Sequence, residues 1–151
     1  MPEPQFQDRT SRLNLPLLFA GQSQRETFVN ETFIRLDALV HCAIESQADT
    51  PPAAPQEGQC WLVAPSASGA WAGQGSNIAS YQQGQWLFQP PRDGLHLLNK
   101  STGQRLHYHG SWQAAVKPAL PTGGTVVDTQ ARAAIDAIVN VLIVSGVLAA
   151  Q

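Results

Sequence analysis

His96, His107 and His109 come nearest to a metal-binding pattern. His107 and His109 alternate, so on a strand they share a face, and His96 on a facing strand would complete a three-imidazole set. Cross-strand packing with partly exposed rings is the expected arrangement, and no metal ligand is assigned. The carboxylates Glu45, Asp49, Glu57 and Asp93 would be the raw material of a glycosidase pair. They sit in or beside loops without an evident partner, and no catalytic residue is assigned. Ser66, Ser68 and Ser80 lack a nucleophile-elbow context. Gly69 to Gly75 matches neither a phosphate loop nor a dinucleotide fingerprint, so no cofactor is expected. Cys42 and Cys60 show no metal-ligand spacing and read as buried thiols.

The aromatic residues carry more. Trp61, Trp71, Tyr81, Trp86, Phe88, Tyr108 and Trp112 cluster in the middle of the chain. Aromatic faces stack on sugars, with Gln and Asn donors nearby to fix orientation. Most strand tryptophans are core. Trp71, Tyr81 and Trp86 are the candidate carbohydrate contacts, with Trp71 expected to be the most exposed because it falls in a loop.

These residues must be positioned by elements that punctuation and periodicity reveal. Residues 1–14 are polar and Pro-containing and read as an extended arm. Ser23 and Glu26 form a capping-box pattern. Val29, Phe33, Leu36 and Val40 then step by four, three and four, which predicts an amphipathic helix over about 23–38. Leu39 to Ile44 leads into a first strand, and Cys60 to Ala64 is a second. Two hairpins follow: 77–81 with 85–89 across Gln82-Gln83-Gly84, and 95–99 with 104–108 across Lys100-Ser101-Thr102-Gly103. Regular short strands and turns suit a small antiparallel meander or barrel, in an α+β chain.

Residues 114–124 form a Pro/Gly linker, and the last segment spans 125–151. Asp128 or Thr129 caps a helix running to about Val144 and closed by Gly146. Ala131, Ile135, Ile138, Leu142 and Ser145 step by four, three, four and three, a coiled-coil seam. Val139, Val141, Ile143 and Val144 leave little polar face, so the helix must be covered. It either packs on its own domain or bundles with copies of itself, and the linker favours the bundle.

The 151 residues suit one domain, 15–113, with these appendages. Charged residues are 13%, against about 25% in ordinary soluble domains. Gln, Ala, Gly and Ser supply polarity instead, as suits a surface covered by neighbours. A net charge of −2 and nine scattered Lys and Arg argue against a nucleic-acid partner. No apolar run reaches the roughly 20 residues a membrane span needs. The opening Met1-Pro2-Glu3-Pro4-Gln5 lacks the blocks of a secretory signal, so synthesis in the cytoplasm is expected.

Several blocks resemble a family. Leu15-Pro16-Leu17-Leu18-Phe19-Ala20-Gly21-Gln22-Ser23-Gln24, Asn30-Glu31 and Arg35-Leu36-Asp37-Ala38-Leu39-Val40 look like the opening of a domain-of-unknown-function family of alphaproteobacterial prophages and gene transfer agents. Pro51 to Gly58, Trp61-Leu62-Val63, Gly69 to Gly73, Ile78-Ala79, Gly84-Gln85-Trp86 and Pro91 to Gly94 continue the match over about 11–98. Residues 123–135 are similar to the ends of many phage tail and fibre proteins. The resemblance implies a non-enzymatic virion component, a head spike or tail fibre that helps a particle grip capsular polysaccharide. Family members usually carry another residue at Cys60 and often end in a more charged helix. The expected partners are copies of the chain itself (a trimer favoured, a pentamer for a capsid vertex), other capsid, fibre or tail proteins, and host polysaccharide. The competing readings are a stand-alone carbohydrate-binding module and a polysaccharide-degrading enzyme.

Overall fold

A computed structural model of the chain describes residues 8–21, 25–120, 122–124 and 127–149. Among them are two α-helices and eight strands, an α+β fold whose strands form two sheets rather than a closed barrel. The chain divides into two compact units at Pro91 and Arg92. The expected arm over 1–7 and the Ser23 cap lie outside the described residues.

In the first unit, residues 8–18 do not extend as an arm. They fold back on themselves, with Arg9 bridged to Pro16 and Thr10 N–H donating to the Leu15 carbonyl at 2.9 Å. Helix α1, Arg25–Leu39, holds this turn. The expected stripe of Val29, Phe33, Leu36 and Val40 is not the inward face: Val29, Leu36 and Val40 are exposed, and Ile34, Asp37 and Ala38 are buried. Two polar side chains share that inward face because they bind backbone. The Asn30 amide pairs with both the N–H and the carbonyl of Leu18, at 2.8 and 2.9 Å. The Asp37 carboxylate accepts from the Thr10 hydroxyl and the N–H groups of Arg12 and Leu13, at 2.7–2.9 Å. Hydrogen bonds to a buried charge contribute roughly 1.5–3 kcal/mol each. The Arg12 guanidinium donates to the carbonyls of Ala38 and His41 at 2.9 Å, placing a cation at the negative end of α1.

Strands β1 (Ala43–Ile44), β2 (Gln47–Ala48), β3 (Cys60–Val63), β4 (Ile78–Gln82) and β5 (Gln85–Gln89) follow. A sheet runs β2-β3-β4-β5, with β2 parallel to β3 and the other pairs antiparallel. Every residue of β3 is buried, so both faces of this strand are covered. Alternation sends Trp61, Val63 and Ala79 to one face, where they form a core with Trp71, and Cys60, Leu62 and Ile78 to the other. The β4–β5 turn has positive φ at Gln83 (51°) and Gly84 (75°), the type I′ geometry that matches strand twist. Glu57 clasps it, accepting from both turn N–H groups at 2.7 and 3.0 Å.

The second unit holds an antiparallel meander of β6 (His96–Asn99), β7 (Gln104–Tyr108) and β8 (Trp112–Ala114), and helix α2, Thr129–Val144. The helix is not separated from the strands by the Pro/Gly linker. Its C-terminal turn docks on β7: Arg105 N–H donates to the Gly146 carbonyl at 2.6 Å, and the buried Gln104 amide donates to the carbonyls of Ala115 and Val147 at 2.6 and 3.0 Å. Leu148 bridges to Ala115. Asp128 caps the other end, accepting from Ala131 N–H at 2.9 Å.

Candidate functional site

The three aromatic candidates fall on one side of the first unit's sheet. Trp86 on β5 stands opposite Tyr81 on β4, their ring centroids 5.0 Å apart. Trp71 meets Trp86 edge-on at 5.0 Å, and Trp61 completes the group at 5.5 Å from Trp86. The structure thus brings Trp71, Tyr81 and Trp86 together, but not as an open platform. Trp71 is 0% exposed, which corrects the expectation that it is the most exposed of the three. Its segment, Gly69–Trp71, is a single 3-10 turn that folds the indole into the core. Burying so large an apolar ring outweighs the loop character of its neighbours. Tyr81 and Trp86 remain half-buried.

The other chemical candidates have local partners. His96 and His107 are register partners with ring centroids 6.0 Å apart, and both are exposed. His109 lies beyond β7 and its Nδ1 is 3.4 Å from Asp93, whose carboxylate also accepts from Gly110 N–H at 2.8 Å. Asp49 accepts from the Ser66 hydroxyl at 3.2 Å. Among the described residues no group of three or more His, Cys, Asp and Glu is placed to hold a metal ion. Cys42 and Cys60 are both buried free thiols. Burial pushes the Cys42 thiol up to about 11, only partly opposed by the nearby Arg12 cation.

Helix α2 presents a different kind of site. Of the seam residues, Ile135 and Ile138 are exposed, Ala131 and Ser145 are exposed, and Leu142 is half-buried. Within its unit the helix buries only Val139. Sequence reading placed Val141 and Val144 outside the seam. They are the most exposed large apolar side chains of the helix, at 67% and 89%, beside Ile138 at 60%. Ile135, Ile138, Val141 and Val144 step by three, so each is a neighbour of the next while the row winds about half-way round the helix from Ile135 to Val144. Contiguous exposed apolar surface marks an interaction site. The signal that finds it is the spacing of three beside the heptad; within its unit the helix is anchored by buried Val139 and by the residues that follow its C-terminal end. Among the described residues no helix is long and apolar enough to cross a membrane.

The family model described as a protein of unknown function, DUF2793, matches residues 29–113. No curated protein matches the chain. The match begins within α1, takes in β1 to β7 and the tryptophan cluster, and ends within β8, before α2. It covers more than half of the 151 residues, and the chain belongs to the DUF2793 family.

Proposed function

We propose that the chain is a structural subunit of a phage-like particle, working as a symmetric homo-oligomer in a head spike or tail fibre that contributes to attachment on host polysaccharide. The observation that carries this reading is the exposed apolar row of Ile135, Ile138, Val141 and Val144 on α2. Full burial of such a side chain from full exposure is favourable by roughly 1.5–3 kcal/mol, burial of these partly covered ones by correspondingly less, and an identical helix of a second copy supplies a surface of the same kind. Symmetry turns that pairing into a closed assembly, with a trimer favoured and a pentamer suited to a capsid vertex. The low charge content fits surface that neighbours cover. The virion context comes from the resemblance of residues 11–98 to prophage and gene-transfer-agent proteins. Repeated weak contacts with polysaccharide would then add by multivalency.

Antibody raised against the chain, applied to particles purified from cells that make it, is the direct test. Gold label at a repeated position on heads or tails is the expected outcome. Particles that form and transfer normally without any label would refute the virion assignment.

A further inference from the structure

Between α1 and the β4–β5 hairpin lies a cleft of about 390 Å³, within the size range of small-molecule sites. One wall is the first half of α1, where Glu26, Thr27, Asn30 and Glu31 share a helical face. The other is the hairpin, with Gln82, Gln83 and Gln85. Leu18, Ile34 and Leu87 supply an apolar floor, and Asp8 stands among the lining residues. We propose that this cleft binds a neutral saccharide unit. The site deepens the attachment reading above and rests on it for the source of the ligand, not for its chemistry.

The walls are held in place before any ligand arrives. Asn30 is committed at both ends of its amide to the backbone of Leu18. Glu31 is oriented by Arg35, one turn along, at 2.7 Å. The Glu26 carboxylate accepts from Gly21 N–H at 3.0 Å. Gln82 differs. It is 4% exposed, and its Oε1 accepts from the Ser11 hydroxyl at 3.0 Å, while its Nε2 is buried with no acceptor. A buried donor without a partner is a free-energy cost that an incoming acceptor relieves. A small outward turn of the side chain would offer that donor to a ligand oxygen.

The ligand class follows from what lines the cleft. Carboxylates accept from hydroxyl groups, amides both donate and accept, and aliphatic side chains suit the C–H face of a ring. No Lys or Arg is among the lining residues, and three carboxylates are. An anionic cleft of this kind disfavours uronates, sialic acids and phosphates. Tyr81 and Trp86 belong to the opposite face of the sheet from Gln82 and Leu87, so this site is distinct from the aromatic cluster.

Saturation-transfer NMR on the full chain tests the site, using glucose, galactose, mannose and N-acetylglucosamine as neutral probes, with glucuronate and putrescine alongside. Transfer to at least one neutral sugar, absent for glucuronate, is expected. The exposed pair Thr27→Ala and Gln85→Ala should weaken it about five-fold for each hydrogen bond lost, with an unchanged far-UV spectrum. No transfer to any neutral sugar, transfer untouched by the pair, or stronger transfer to putrescine would each overturn the site. Sedimentation of the same samples separates the two proposals. A chain that self-associates but ignores all four sugars removes the cleft and leaves the assembly standing. A monomer that binds sugar in this cleft supports the site and removes the oligomer.

Discussion

Cys42 sits just past the end of α1, where burial holds its thiol protonated up to about 11. In the unfolded chain the same group ionises near its ordinary value of 9.0. Between those two values the unfolded state binds fewer protons than the folded one, so stability must fall as pH rises. The loss is roughly 2–3 kcal/mol at most, and Cys42→Ser should remove most of that slope in denaturant titrations between pH 8 and 11. A slope unchanged by the substitution would show that another group carries it. Below pH 8 the thiol should resist alkylation until the protein unfolds. The burial of both cysteines was readable from composition. The roles of Asn30 and Asp37 were not, because each takes its meaning from backbone more than ten residues away. A hydropathy stripe counts them as polar and turns the helix outward. Trp71 failed for a related reason: its loop is local, while the core that captures it comes from β3 and β5.

Elements whose chemistry is local were legible. The hairpin of 77–81 with 85–89 was legible from its Gly-containing loop, although Gln82 joins β4 and pairs with Gln85, leaving Gln83-Gly84 as a two-residue turn. Asp128 starts α2 and Gly146 ends it. What could not be read was the role of the terminus that Gly146 creates, because the partner is β7. Gly146 has φ of 74°, and a Cβ there would meet the Gly103 carbonyl at 3.1 Å. Gly146→Ala therefore adds left-handed strain and a close contact at the point where α2 docks, costing about 1–3 kcal/mol. Hydrogen exchange should show the loss at Arg105, whose N–H binds the Gly146 carbonyl, before it shows at β4 or β5. Uniform loss of protection through both units would contradict this local anchoring.

At the scale of the whole molecule, α2 is held by buried Val139 and by the residues just past its C-terminus, while an apolar row along it stays uncovered within its own unit. Its 16 residues make only about two heptads, and short isolated coiled coils are marginal. Association would therefore draw on the domains as well as on the helix. Removing the segment after Gly124 would also strip Gly146 and Val147 from the second unit, confusing assembly with folding. Substitutions on the exposed row avoid that difficulty. Sedimentation velocity of the intact chain beside Ile138→Asp/Val141→Asp is the most direct measurement. The expected result is a concentration-resistant oligomer for the parent and at least roughly ten-fold weaker association for the variant, with unchanged circular dichroism. A parent chain that sediments as a folded monomer, or a variant that associates as well as the parent, would contradict assembly through α2.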